Sequence, residues 1–473
     1  MENYKLVELT DNLTGTEINR FRKYLSSPFF NENESLLTLF DLMTSAKDGL
    51  SKDNIYQALY NGESYDDLKL RHLQSDLSKK MEEFLALTIY QKRVVESKLD
   101  SLRAYRERNL DKHFNGVLRL TSKHQENNIH RDGNFFYDQF QLENEINKYV
   151  MKKYQRSQEL NLQKAASTLD TFYIINKLKN CCEQLNYGNV VNIDSELLLM
   201  EEIINHVRNK EYGDVPAIEI YYQILMTLTE EENEDHFYKL KSLLDIHIEK
   251  FTVEESKDMF AFAQNYCIKQ INKGNVNYHK EIFELYKKGI GKAIIFENGK
   301  ISPFDFKNIV TVGCRLNEFK WVKSFIVKYK EKIDPEFREN AYTYNLAKYY
   351  FSLQKYDRVL RLLQEVEYDD VFYGMDSRTM LLKTYYEVDE IVSLDYLIDS
   401  FRVYLKRNKL ISDDHRTNYL NLIKYVRRLA KAKAGRTKNL RKLKNDIKYA
   451  RHVADVAWLR EKADELKMRN DSY

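Results

Sequence analysis

The residues that could carry catalytic or cofactor chemistry are few and widely separated in this chain. Gly289, Gly291 and Lys292 resemble part of a phosphate-binding loop, but Ala293 follows the lysine where the full motif has a Ser or Thr hydroxyl for magnesium. The ten histidines form no H-E-x-x-H motif and no zinc spacing with the cysteines. We therefore predict a protein that is not an enzyme and that holds no metal or cofactor.

The cysteines and the apolar runs predict a cytoplasmic protein. Cys181, Cys182, Cys267 and Cys314 contain no C-x-x-C pair, and the adjacent two are poorly placed for a disulfide. We expect them to behave as buried apolar side chains in a reducing compartment. The first residues lack a signal-peptide pattern. The longest apolar runs have about five residues, whereas a membrane-spanning helix needs about 20.

Basic residues are concentrated near the C-terminus. Residues 401–473 hold 21 Lys and Arg but only 8 Asp and Glu, so the rest of the chain is acidic overall. A helix this basic usually faces an anion. The candidate anion-binding patch consists of Arg427, Arg428, Lys431, Lys438, Arg441 and Lys442.

The same basic segment also carries an apolar stripe. Leu440, Leu443, Ile447 and Ala450 follow helical spacing, which predicts that the segment docks as a cap on the preceding helices. Its basic face then has three candidate targets: the acidic body of this chain or a second copy, a nucleic acid, or another anionic partner.

The composition predicts an all-α fold. The chain has 14 Gly and 4 Pro in 473 residues, against roughly 33 and 24 at average usage. Few tight turns are therefore available, which favours long helices joined by short links. Ser302-Pro303 and Asp334-Pro335 each place a capping side chain before a proline, the pattern of a helix start.

Turn and helix-end signals along the chain divide it into four regions. Residues 1–93 form a small helical unit, in which an apolar stripe runs along a helix predicted from Asp66 to Arg93. Long helices follow in 94–215, with continuous helix expected from Leu99 to Asn128 and from Asn134 to about Tyr187. Helix hairpins occupy 216–410. The basic C-terminal helical cap covers 411–473.

The hairpin region contains an internal repeat. Apolar pairs seven residues apart recur at Ile309 and Leu316, at Leu346 and Leu353, and at Leu381 and Val388. Their first members are 37 and then 35 residues apart. Repeats of this length are typical of solenoids, in which each hairpin needs a neighbour to bury its apolar face.

One of these hairpins resembles the tetratricopeptide repeat. Tyr344-Asn345-Leu346-Ala347-x-x-Tyr350, followed by Leu353-x-x-Tyr356-Asp357-x-Val359, carries the resemblance. It implies an antiparallel helix-hairpin solenoid, a right-handed superhelix with the N-terminal helical unit before it. In that family, the first helix of each pair lines a groove that holds a peptide.

The resemblance also implies which residues face the groove. Cations would lie along one face and would suit an acidic or carboxylate-ended peptide, with an asparagine bonding its backbone. The partner-binding residues are Lys307, Arg315, Asn345, Lys348 and Lys383, and the same positions include Asn308, Thr311, Tyr344, Phe351, Thr379, Met380 and Tyr386. The resulting hypothesis is a non-catalytic cytoplasmic scaffold that binds another protein.

A nucleic-acid-binding or regulatory protein is the alternative hypothesis. It would use the basic C-terminal helix. Leu50-Ser51-Lys52 to Leu59, followed by Leu70-Arg71-His72-Leu73 to Phe84-Leu85, is similar to the helix pairs of winged-helix regulators. No strand pair for a wing follows Phe84 in the sequence, and the basic residues there are mixed with acidic ones.

Overall fold

In the computed structural model, helices are the regular elements of the described part of the chain, and the all-α prediction is confirmed. The described residues are 4–45, 51–153, 162–191, 197–210, 212–363, 371–435 and 440–470. They contain α-helices α1 to α23 and no β-strand, only isolated bridges such as Ile301 with Ile333. Helices that are neighbours in sequence pack in pairs. The chain divides into two compact units, Met1–Lys177 and Leu178–Tyr473.

The first unit begins with a bundle of five helices around its own core. The helices are α1 (Tyr4–Asp11), α2 (Gly15–Leu25), α3 (Glu34–Ser45), α4 (Lys52–Leu59) and α5 (Asp67–Lys92). The stripe predicted on α5 is buried against the other four and includes Leu70, Leu73, Leu77, Met81 and Phe84. Thr14 and Glu17 form a capping box at the start of α2.

Three further helices and the start of a fourth complete the first unit. They are α6 (Val94–Glu107), α7 (Asp111–Asn127), α8 (Gly133–Lys153) and α9 (Leu162–Val191), and α9 crosses the division between the units. Phe114 and Tyr149 stack with their ring centroids 3.9 Å apart. The buried Glu145 carboxylate of α8 pairs with Arg106 of α6.

Some predicted boundaries in this unit are wrong. The helix expected from Leu99 to Asn128 is interrupted after Glu107, where Asn109 adopts a left-handed backbone with φ of 55°. Asparagine tolerates this conformation better than most residues, which allows a turn without glycine. The cap of α3 is Asn33, whose side chain accepts the Ser35 N–H at 3.0 Å. Of the run predicted from Asn134 to Tyr187, residues 154–161 lie outside the described part.

The second unit begins with the last part of α9, and α10 (Met200–Asn209) and a series of helix hairpins follow it. The hairpins are α11 (Pro216–Thr229) with α12 (Asp235–His247), α13 (Val253–Lys273) with α14 (Tyr278–Gly291), α15 (Pro303–Arg315) with α16 (Phe319–Tyr329), α17 (Pro335–Ser352) with α18 (Tyr356–Leu363), and α19 (Val371–Glu387) with α20 (Ile391–Arg407). The predicted caps Ser302 and Asp334 each accept a backbone N–H in the first turn of α15 and α17, and Thr252 does the same at the start of α13.

First helices of successive hairpins also pack on one another. α15 contacts α17, and α17 contacts α19. These three helices therefore lie side by side, and residues on one face of each meet across the junctions.

The C-terminal helices share a core with the last hairpin. They are α21 (Asp413–Lys433), α22 (Leu440–Lys448) and α23 (Val456–Asn470). Leu443 and Ile447 of the predicted apolar stripe are buried in the same cluster as Leu394 and Phe401 of α20. Burial of this stripe holds α22 against the rest of the unit.

All four cysteines are buried, and none is in a disulfide. Desolvation in these sites raises the pKa of Cys182, Cys267 and Cys314 above the ordinary thiol value. Among the described helices, none combines the length and apolar character needed to cross a membrane.

Candidate binding site

The second unit contains a cavity at the junction of α15, α17, α19 and α21. Its volume is about 290 Å³, and three lysines from three successive first helices line it. We call it the basic cavity. Its lining residues are Lys307, Asn308 and Thr311 of α15, Tyr344, Lys348 and Phe351 of α17, Asp376, Thr379, Met380 and Lys383 of α19, Tyr419 of α21, and Ala454 and Asp455.

The three lysines have different electrostatic surroundings. The Lys307 ammonium lies 2.8 Å from Asp376 and above the ring of Tyr373, at 5.4 Å from its centroid. Lys383 is 9% exposed and pairs with Asp455. Lys348 is half-buried and makes no ion pair with any described residue. Three cations therefore face two carboxylates, and the cavity has an excess of positive charge.

Burial and charge act in opposite directions on the Lys383–Asp455 pair. Burial lowers the pKa of Lys383, and attraction to Asp455 offsets only part of that effect. Partial burial alone would raise the pKa of Asp455, but attraction to Lys383, Lys348 and Arg315 outweighs it and lowers that pKa. The field of the cavity therefore favours a carboxylate at the position of Asp455.

A second cavity of about 290 Å³ adjoins the first. We call it the apolar cavity, because Ile268, Ile271 and Ile282 from α13 and α14 contribute to its walls. Asn308 and Thr311 line both cavities, and Arg315 lies in the apolar one. A cationic compartment and an apolar compartment therefore share one wall, which α15 provides.

Two residues of the proposed groove lie elsewhere. Asn345 is fully buried, and its side-chain N–H donates to the Ala341 carbonyl of its own helix at 2.7 Å. It does not line the cavity, because its side chain points into the packing between helices. Tyr386 is buried against Trp458 of α23, with ring centroids 5.3 Å apart.

Four lining residues were missed by the sequence analysis. Asp376 was detectable, because it precedes Lys383 by seven residues and so shares a helix face with Thr379 and Lys383. Tyr419, Ala454 and Asp455 come from the C-terminal region. Their approach to α19 depends on how that region packs, which helical periodicity does not reveal.

Two residues of the candidate anion-binding patch are paired within the second unit. The Arg427 guanidinium lies 3.2 Å from Asp395 of α20, and that of Arg428 lies 2.7 Å from Asp446 of α22. Lys431, Arg441 and Lys442 are exposed. Lys438 lies outside the described residues. The basic segment thus meets acidic residues of this chain, one of the three targets named from the sequence.

The first unit has a cavity of its own, of about 480 Å³. It lies between α5, α6, α7 and α8 and includes Arg93, His124 and Asp138. Burial raises the pKa of Asp138 to about 6, and repulsion from Glu96 and Asp132 adds to the effect. Within the described part of the chain, no group of three or more His, Cys, Asp or Glu side chains is placed to hold a metal ion.

Comparison with known proteins assigns this chain to no family. The chain matches no protein-family model, no curated protein and no solved structure. The basic cavity is therefore interpreted from its own residues.

Proposed function

We propose that this chain is a non-catalytic scaffold that binds an acidic segment of another protein in the basic cavity. In this proposal the hairpins of the second unit form a tetratricopeptide-like solenoid, and α15, α17 and α19 are the helices that line its groove. The observation that carries the proposal is the convergence of Lys307, Lys348 and Lys383 on one cavity that has only two carboxylates.

Lys348 is the residue best placed to recognise the partner. Lys307 and Lys383 already have carboxylate partners, whereas Lys348 has none among the described residues. Pairing with an anion compensates a half-buried ammonium for part of the hydration that burial has removed. A carboxylate side chain or a C-terminal carboxylate supplies such an anion.

The adjoining apolar cavity narrows the class of ligand further. Ile268 is 39% exposed, so part of this apolar wall is open to solvent. A peptide with an Asp or Glu close to a Leu or Ile would place its charge near Lys348 and its apolar side chain beside Ile268 and Ile282. An acidic segment without apolar residues would use only one of the two compartments.

The test uses two sets of labelled peptides. In the acidic set, Asp or Glu alternates with Leu, and in the amide set, Asn or Gln replaces each acidic residue. Binding is followed by fluorescence anisotropy at low and at physiological salt. We expect only the acidic peptides to bind. Lys348→Glu should lower their affinity by about tenfold or more, because an attraction between charges becomes a repulsion. Lys348→Arg should retain binding.

Lys409→Glu is the matched control, because Lys409 is exposed, does not line the basic cavity, and the substitution changes the net charge equally. Equal binding of the acidic and amide peptides would contradict the proposal, and so would full binding by Lys348→Glu. Lys383→Glu is a poor test, since it would place a carboxylate against Asp455 in a buried position.

A further inference from the structure

A turn from the C-terminal region contributes Ala454 and Asp455 to the wall of the basic cavity. The turn comprises residues 451–455 and connects α22 to α23. The Ala454 N–H donates to the Asn418 carbonyl at 3.1 Å, and the Asn421 side chain donates to the His452 carbonyl at 3.0 Å. Both bonds tie the turn to α21. They aim Asp455 at Lys383, a residue 72 positions earlier in the chain.

The turn lies at the surface of the unit, where Val453 and Ala454 pack against the core cluster and Asp455 is exposed. The Asp455 side chain is 45% exposed, although its partner Lys383 is almost fully buried. His452 and Asp455 have φ of 53° and 52°, in the left-handed region that Asp and His adopt more often than most other non-glycine residues. A partly exposed ion pair on a surface turn can be exchanged more easily than a contact inside a packed core.

We propose that Asp455 is an internal ligand that occupies the basic cavity until the carboxylate of a partner displaces it. This inference rests on the proposed function, because it concerns the regulation of the same site. Asp455 reproduces the recognition expected of the partner: one carboxylate, delivered by an irregular segment, paired with Lys383 and attracted by Lys348. The site therefore regulates its own affinity.

Exchange of one carboxylate for another avoids the main energetic obstacle to opening the cavity. If the turn left without a replacement, Lys383 would remain as a buried and unpaired cation, which is strongly unfavourable. An incoming carboxylate keeps Lys383 paired throughout the exchange. Because Asp455 competes with the partner's carboxylate for Lys383 from within the same chain, the turn lowers the apparent affinity for the partner.

The first test uses the same acidic and amide peptides with Asp455→Asn, which removes the charge and keeps the size of the side chain. We expect this variant to bind the acidic peptides about fivefold or more tightly than the unaltered chain. Asp395→Asn is the control, because Asp395 pairs with Arg427 and lies outside the basic cavity. It should leave the affinity unchanged.

The outcomes separate this proposal from the proposed function. If Lys348→Glu no longer binds the acidic peptides but Asp455→Asn does not bind them more tightly, the proposed function is kept and the proposal that Asp455 is an internal ligand is wrong. If the acidic peptides bind none of the proteins, both proposals are wrong.

A second measurement needs no peptide. Asp455→Ala leaves space for a small carboxylate beside Lys383, so sodium acetate should raise the melting temperature of this variant more than sodium chloride of equal ionic strength. Asp395→Ala and the unaltered chain should show no such difference. An equal effect of acetate on all three proteins would overturn the proposal.

A third measurement follows the turn directly. Saturation with the acidic peptide should speed hydrogen exchange at the Ala454 amide, because displacement of the turn breaks its bond to Asn418. Slower exchange at Ala454 on peptide binding would show that the turn closes over the ligand, and the proposal would fail.

Discussion

At the scale of single residues, burial decides which charged side chains are available for recognition. Lys348 and Lys383 both line the basic cavity, but Lys383 is already paired with Asp455, whereas Lys348 has no ion pair among the described residues. The sequence pattern treats these two lysines alike, because both face the groove at helical spacing. The difference arises from the turn that brings Asp455 to only one of them.

Asp138 offers a residue-scale prediction about pH. Its pKa in the folded chain is about 6 because of burial and repulsion from nearby carboxylates, above the ordinary value of about 3.9. Between these two values the folded state holds a proton that the unfolded state has released. The free energy of unfolding therefore falls as the pH rises from 4 to above 6.

We expect Asp138→Asn to stabilise the first unit by about 1–2 kcal/mol at pH 7.5, an amount reduced by solvent screening of a partly exposed group. At pH 4 the difference should nearly vanish, since the aspartate is then protonated in the folded chain. Urea unfolding at both pH values measures this. Asp170→Asn on the exposed face of α9 is the control, and a gain that is the same at both pH values would refute the explanation.

At the scale of elements, local signals predicted where helices begin better than where they break. Ser302-Pro303 and Asp334-Pro335 start α15 and α17 because capping and proline geometry act within one turn of helix. The break at Asn109 has no adjacent glycine or proline to mark it. The place of Asp455 in the site could not be predicted from the sequence for another reason. Asp455 and Lys383 become neighbours only after α21 to α23 have packed.

Gly313 gives an element-scale prediction about hairpin packing. A Cβ at this position of α15 would lie 2.5 Å from Val322 of α16 and 3.1 Å from Phe283 of α14. Gly313→Ala should therefore destabilise the second unit by about 1–3 kcal/mol, because these helices must move apart. Equilibrium unfolding in urea measures the loss.

Gly116 in α7 provides the comparison, because nothing lies within 4 Å of a Cβ there. Gly116→Ala should stabilise the first unit by about 0.5–1 kcal/mol through the higher helix propensity of alanine. If Gly313→Ala were also stabilising, the contact between α14, α15 and α16 would be looser than the structure describes.

At the scale of the whole molecule, the acidic body and the basic C-terminus meet within the second unit. Arg427 pairs with Asp395 and Lys433 with Asp389, so α21 binds acidic residues at and near α20. The charge asymmetry was visible in the composition, but the sequence left three targets open for the basic face. Exposed residues such as Lys431 and Arg441 are the better positions for testing nucleic-acid binding, because removing the segment would remove core residues.

The distribution of the cores predicts how the chain tolerates truncation. Residues 6–84 contain a complete cluster of buried side chains, whereas Leu422, Val426, Leu443 and Leu459 complete a cluster begun by α19 and α20. A fragment of residues 1–93 should therefore fold alone. Deletion of 411–473 should expose the apolar face of α20 and cause aggregation or loss of helix, because about 25 cal/mol is lost for each Å² of apolar surface returned to water.

Circular dichroism and thermal melting of the two truncated chains measure this difference. The 1–93 fragment should be helical and melt cooperatively, and the 1–410 chain should melt at a lower temperature than the full chain or precipitate. A 1–410 chain as stable as the full chain would mean that α21 to α23 are an appendage. In that case 1–410, which lacks Tyr419 and the Asp455 turn but keeps Lys348 and Lys383, should bind the acidic peptides more tightly than the full chain.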